Sequence, residues 1–177
     1  MKLLAAVLSV ALMISVPTLV LAKGDTVKIT IESADLSSPI QITDPAVRQF
    51  QIWSDFIIDA NRVANAPVGL HHYKVSFYEG CVESSACHSA EPSLAYVVFY
   101  DYDPSMQEGF VYLPGGHDEF ARLNMWHIYR GKAYEGHWFR ATKAWDDFVK
   151  PMISRATEHT ALRCDGGTEE PVLSVCG

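Results

Sequence analysis

Residues 94–113, LAYVVFYDYDPSMQEGFVYL, decide the fold because they predict two antiparallel strands and the turn between them. Apolar and aromatic side chains occupy both faces of residues 94–103, which is typical of a strand inside a sheet covered on both sides. Residues 103–109 contain the proline and glycine of a turn, and residues 110–113 return as the second strand. We expect residues 97–100 to be among the most buried in the protein.

Alternation of apolar and polar residues predicts three further strands outward from this hairpin. They cover residues 26–33, 40–42 and 72–78. The third strand leads through a polar loop into the hairpin. Residues 72–113 therefore predict a three-stranded antiparallel meander.

Apolar residues at helical spacing predict helices in three places. These helices cover residues 45–53, 118–128 and 142–156. Asp44 followed by Pro45 is a start signal for the first helix, and a strand over residues 125–129 is the alternative to the second. Pro151 should kink the third helix, which has the clearest apolar stripe. The predicted fold class is α+β: an antiparallel sheet of about five strands with a central hairpin, and a C-terminal amphipathic helix packed on one face.

Residues 1–22 have the features of a secretory signal peptide, with Lys2 before an apolar segment and Ala22 at the cleavage position. We predict export to the periplasm or the medium and no stable membrane anchor after cleavage, with an uncleaved anchor as the alternative. The predicted domains are the signal peptide, a single α+β domain over residues 23–157, and an irregular disulfide-tied tail over residues 158–177.

Export makes the four cysteines candidates for disulfide bonds. Local pairing closes the shortest loops and costs the least chain entropy. The predicted pairs are Cys81 with Cys87 and Cys164 with Cys176. A bridge between the tail and the earlier loop is the alternative.

A metal or redox site is the second interpretation of the cysteines, with Cys87, His88 and either His71 or His72 as ligands. Zinc sites usually have shorter cysteine spacings than the ones present here. Residues 84–88, SSACH, match a haem c attachment motif that lacks its first cysteine. The spacing favours disulfides, and we predict no metal and no cofactor.

The best catalytic candidates are His117, Asp118 and Glu119, which follow glycines at the predicted start of a helix. A histidine beside carboxylates can act as a base, although the same residues are ordinary in a loop and a first helical turn. No nucleophile motif or nucleotide-binding motif accompanies them. Asp101 and Asp103 form a second candidate as a carboxylate pair, and a turn-capping role is their alternative.

The candidates for ligand binding are Trp126, His137 and Trp138, whose flat rings can stack on a sugar or another flat ligand. Half-buried structural rings are the alternative. The formal charge of −7 is spread along the chain, which argues against nucleic acid as a partner. The expected partner is an unknown small molecule or an envelope component.

Several segments resemble motifs in a group of uncharacterised exported bacterial proteins. They are ITDP (residues 42–45), AYVVFYDYDP (95–104) with GFVYLPG (109–115), and HWFRAT (137–142). The resemblance covers most of the mature chain. It implies one exported domain and no particular activity.

The preferred functional hypothesis is an exported, extracytoplasmic, non-enzymatic module that binds a ligand or supports the envelope, because catalytic signatures are missing. One alternative is a small secreted hydrolase with a histidine and carboxylate site around His117. The other is a metal or redox protein that uses Cys87 and His88.

Overall fold

A computed structural model describes residues 25–50, 62–65, 67–68, 70–80, 91–103, 108–125 and 134–165, apart from the side chains of Asp103 and residues 159–165. The strands in these ranges are β1 (Asp25–Glu32), β2 (Ile40–Ile42), β3 (Arg62–Val63), β4 (His71–Gly80), β5 (Ser93–Asp103), β6 (Glu108–Leu113) and β7 (His137–Arg140). The helices are a 3₁₀ helix (Pro45–Gln49), α1 (Ala121–Asn124) and α2 (Lys143–Asp165).

The strands form one open sheet in the order β2-β1-β4-β5-β6-β7-β3, and all neighbouring strands are antiparallel. The mixture of sheet and helix and the β4-β5-β6 meander are as predicted. The predicted count of about five strands is wrong, since the described residues form seven. The two missed strands are β3, which has only two residues, and β7, whose apolar residues Trp138 and Phe139 are adjacent and do not alternate with polar ones.

The main core lies between the sheet and α2. Trp145, Val149 and Ile153 of α2 are buried on this side, which we call the helix face. The ring of Trp145 packs edge-on against Phe50 at 5.3 Å and against Tyr100 at 6.0 Å between ring centroids. The C-terminal helix therefore packs on one face of the sheet, as the apolar stripe predicts.

Helix α2 is longer than its apolar stripe suggests. Thr142 caps its first turn, since its Oγ1 accepts a hydrogen bond from the Trp145 N–H at 3.3 Å. The helix contains Pro151 and continues to Asp165. Residues 158–165 are thus helical where the sequence predicts an irregular tail. They include good helix formers and no glycine or proline, which explains why the helix continues.

The two other helices lie where the sequence places them, but they are short. Asp44 caps the 3₁₀ helix through a 2.7 Å hydrogen bond from the Ala46 N–H, and this helix ends at Gln49 rather than at residue 53. Helix α1 covers four residues of the predicted 118–128, and residues 126–130 lie outside the described ranges. In the described part of the chain, no helix is long and apolar enough to cross a membrane.

Candidate functional site

The sheet face turned away from α2 carries a row of side chains that cross the strands in register. From β1 to β3 the row consists of Glu32, Lys74, Phe99, Tyr112, Trp138 and Val63. The neighbouring side chain His72 stacks on Phe99. The three aromatic side chains of this row and His72 form what we call the ring row, and the face that carries it the ring face.

Neighbouring rings in the ring row are turned toward one another. The centroid distances are 4.8 Å from His72 to Phe99, 6.4 Å from Phe99 to Tyr112 and 5.0 Å from Tyr112 to Trp138. The angles between the ring planes are 22°, 27° and 35°, so the first two pairs are stacked and the pair of Tyr112 and Trp138 is tilted. Ring edges rather than ring faces therefore point away from the sheet, which does not suit a platform for stacking sugars.

The ring row also changes the expectation that residues 97–100 are all deeply buried. Val97, Val98 and Tyr100 are fully buried, as predicted. Phe99, which lies on the ring face and packs against Phe120 at 6.3 Å between ring centroids, is only partly buried.

At its β4 end the ring row meets a cavity of about 670 Å³, which we call the β1–β4 cavity. Its lining is Glu32, Ser33, Ala34, Asp35, Leu70, His71, His72 and Lys74. Its volume falls within the range of about 300–1,000 Å³ that is usual for small-molecule sites. His72 belongs to both features, so the β1–β4 cavity and the ring row are continuous.

His72 is held by a buried carboxylate. The β4–β5 register places it opposite Asp101, and its Nδ1 lies 2.6 Å from Asp101 Oδ1. The Asp101 side chain is only 10% exposed, whereas that of His72 is 56% exposed. Burial raises the pKa of Asp101 above its ordinary value, and the neighbouring His72 opposes this shift. The pair fixes the imidazole through Nδ1 and leaves Nε2 for a ligand.

Two further pairs, each of a basic and an acidic side chain, line the same cavity. His71 Nδ1 lies 2.9 Å from Asp35 Oδ2, and Lys74 Nζ contacts Glu32 Oε2. Each cationic or protonatable group thus has its own carboxylate. The cavity therefore offers hydrogen-bond donors and acceptors side by side, without a large excess of either charge.

A second cavity, of about 590 Å³, lies beside α2. It is lined by Tyr102, Ala141, Lys143, Asp146, Asp147, Lys150 and Pro151. Its most buried carboxylate, Asp146, accepts hydrogen bonds from Tyr100 Oη at 2.9 Å and from the Gly109 N–H at 3.2 Å, and it pairs with Lys150 at 2.9 Å. These contacts join α2 to β5 and β6, so Asp146 has a sufficient structural role and the β1–β4 cavity is the stronger candidate.

The catalytic candidates from the sequence lie in the turn before α1. His117 and Glu119 are exposed, and neither lines the two cavities. Asp118 Oδ2 accepts hydrogen bonds from the Gly115 N–H at 2.6 Å and from Tyr112 Oη at 2.8 Å. Asp118 thereby closes the turn and steadies one ring of the ring row, and the three side chains do not form a common pocket.

The ligand-binding candidates are separated by the sheet. Trp138 belongs to the ring row, whereas His137 lies on the opposite face and contacts Arg62 of β3 through Nε2. Trp126 lies outside the described residues. Of these candidates, the structure thus places only Trp138 beside the candidate site.

The cysteines on which the disulfide and metal-site predictions depend lie outside the described part of the chain, apart from the backbone of Cys164. Cys81, Cys87, His88 and Cys176 are not described, and neither is the side chain of Cys164. Among the described residues, no group of three or more histidine, cysteine, aspartate or glutamate side chains could hold a metal ion. The predicted disulfides therefore stay predictions.

The His72–Asp101 pair is the feature that the sequence analysis missed. In the sequence, Asp101 is a candidate only as a partner of Asp103, whose side chain lies outside the described residues, and His72 only as a metal ligand. The available signal was the meander itself, because opposite residues of paired strands lie on the same face. Comparing the possible registers of the two predicted strands for pairs of opposite charge could have identified the one that places His72 opposite Asp101.

Comparisons of the chain with protein-family models, with curated proteins and with solved structures find no match. The geometry of the ring face and the β1–β4 cavity is therefore the basis for assigning a function.

Proposed function

We propose that the protein is an exported binding domain for an amphipathic small molecule, which has a polar head group and an apolar tail. The observation that carries this proposal is the continuity of the β1–β4 cavity, which has charged side chains in its lining, with the ring row. The expectation from the sequence that the module has no catalytic activity is untested, and it is not part of this proposal.

The cavity suits the head group because it offers donors and acceptors together. Lys74 supplies N–H donors, while the carboxylates of Glu32 and Asp35 supply acceptors. A polar head group that both donates and accepts hydrogen bonds would meet partners of both kinds there.

The ring row suits the tail because it continues from the cavity across three strands as partly buried aromatic side chains, with Phe120 packed beside Phe99 as a further apolar ring. Phe99, Tyr112 and Trp138 are each partly exposed to solvent. An apolar chain laid along them would remove apolar surface from water, which stabilises a complex by about 25 cal/mol per Å².

Calorimetric titration of the purified protein tests the proposal. The probes are n-octyl phosphate, n-octylamine and n-octyl β-D-glucoside below their micelle-forming concentrations, with inorganic phosphate, ammonium and glucose as the head groups alone. At least one octyl compound should bind about 10-fold more tightly than its head group, which corresponds to about 1.4 kcal/mol.

Two variants and one control locate the site. Lys74→Ala should weaken binding of the octyl compound by removing a head-group contact, and Trp138→Ala should do so by shortening the apolar surface. Lys143→Ala removes another ion-paired lysine, on α2, and should leave the affinity unchanged. Failure of all three octyl probes to bind, or equal affinities of all three variants and the wild type, would contradict the proposal.

Export is the second part of the proposal and is motivated by residues 1–22. N-terminal sequencing of protein recovered outside the cytoplasm should give a chain that starts at Lys23. A chain that retains Met1 and stays in the membrane would contradict export, whatever the binding experiments show.

A further inference from the structure

We propose that the β1–β4 cavity hydrolyses carboxylic esters of amphipathic character, with His72 as the general base. This inference rests on the proposed function, because the ester would bind as the amphipathic ligand does. It differs from the hydrolase suggested by the sequence in both position and residues, since His117 lies outside this cavity.

The geometry of His72 is that of an oriented base. Its Nδ1 is bound by Asp101 at 2.6 Å, and its ring is stacked on Phe99 at 4.8 Å. These two contacts restrict both the rotation and the tilt of the imidazole. A base held in this way presents one nitrogen, Nε2, in a defined direction.

Asp101 acts as a positioning residue in this arrangement. Its carboxylate is largely removed from water and holds Nδ1 of the imidazole, so that Nε2 is the ring nitrogen left to act as the base. When His72 accepts a proton, the adjacent carboxylate stabilises the imidazolium that forms.

Lys74, whose Nζ also contacts Glu32 Oε2, supplies a cation to the same cavity. It lies two residues from His72 on the same face of β4, a separation of about 6.7 Å between Cα atoms. Both side chains line the cavity. An ester carbonyl bound between them would have the base on one side and a cation close to its oxygen on the other.

The reaction requires only the ester and water. His72 Nε2 takes a proton from a water molecule as the water oxygen bonds to the carbonyl carbon, and the carbonyl electron pair moves to the oxygen near Lys74. The intermediate then collapses and breaks the bond to the alcohol oxygen, which takes the proton from His72. The products are a carboxylic acid, which ionises, and an alcohol.

Steady-state hydrolysis of p-nitrophenyl octanoate by the purified protein tests the inference. The wild type should turn over repeatedly and faster than an equal concentration of free imidazole. His72→Gln should lower kcat by about 100-fold, the usual contribution of a general base, and leave KM unchanged. Asp101→Asn should lower kcat by at least about 10-fold, also without a change in KM, because it still fills the space but no longer stabilises the imidazolium.

His117→Gln separates this site from the one that the sequence suggests, and it should leave kcat unchanged. A loss of kcat in His117→Gln with normal turnover in His72→Gln would overturn the inference. Wild-type turnover no faster than free imidazole would overturn it as well. Thermal melts check that each variant is folded.

Binding of the octyl probes distinguishes the two proposals. If an octyl compound binds with the expected dependence on Lys74 and Trp138 but no ester is cleaved, only the catalytic inference fails. If no octyl compound binds either, the proposed function fails with it.

Discussion

At the scale of single residues, Gly109 shows how closely β6 approaches the buried side chains of the helix face. A methyl group added to it would overlap Asp146 Oδ1 and the Tyr100 ring, and it would lie 2.5 Å from Tyr100 Oη. The same three residues are joined by the hydrogen bonds that hold α2 on the sheet. Glycine is therefore required here for space.

Gly109→Ala should lower the free energy of unfolding by about 1–3 kcal/mol, the usual cost of overpacking, and weaken the hydrogen bonds to Asp146. Urea unfolding measures the loss. Gly116→Ala is the matched control, because a methyl group there meets no atom within 4 Å. Its effect should stay within about 0.5 kcal/mol. Equal losses in the two variants would show that Gly109 is not a packing constraint.

At the scale of elements, the end of β6 is completed by a side chain of α1. The β5–β6 register would place Pro114 opposite Val97, and proline has no N–H to donate to the Val97 carbonyl. The fully buried Asn124 replaces it: its Oδ1 accepts from the Val97 N–H at 2.9 Å, and its Nδ2 donates to the Val97 carbonyl at 2.6 Å. The side-chain amide of Asn124 thus makes the two hydrogen bonds to Val97 that the backbone of a neighbouring strand would make.

Asn124→Ala should destabilise the protein by about 2–4 kcal/mol, because it leaves the N–H and the carbonyl of Val97 buried without partners. Hydrogen exchange should show faster exchange of the Val97 amide. Arg122→Ala on the same helix is exposed and should change neither quantity appreciably. A protected Val97 amide in Asn124→Ala would mean that another group takes over the contact.

The strands and helices that the sequence predicts are those whose apolar periodicity can be recognised within one continuous segment. The meander strands and α2 each carry enough residues for their period to be read. β3 has only two residues and the apolar residues of β7 do not alternate, so both strands join the sheet through pairing that no local pattern predicts, with β3 at the edge. The ring row and the His72–Asp101 pair depend on the register of β4 against β5, which a single sequence does not encode in any short segment.

At the scale of the whole molecule, the core between the sheet and α2 contains tyrosines that resist ionisation. Burial, followed by the charge of Asp35, raises the pKa of Tyr73 to about 12. Burial, followed by the charge of Asp146, raises the pKa of Tyr100 even further. Because both pKa values lie above the ordinary value of 10.0, the unfolded chain loses these protons before the folded protein does.

The stability that these two tyrosines contribute is therefore fully present below pH 10 and is lost as the pH rises toward 12 and beyond. For Tyr73 alone the loss should reach about 2–3 kcal/mol at pH 12, since one pKa unit corresponds to about 1.4 kcal/mol. Urea unfolding of the wild type and Tyr73→Phe at pH 9 and pH 11.5 tests this. Any stability gap between the two proteins at pH 9 should shift in favour of Tyr73→Phe at pH 11.5, because phenylalanine has no proton to lose. Absorbance at 295 nm should show that part of the tyrosine signal develops only together with unfolding. The prediction is contradicted if the stability difference between the two proteins does not change with pH and all tyrosines ionise in the folded protein. That result would show that Tyr73 and Tyr100 can carry a negative charge in the folded core.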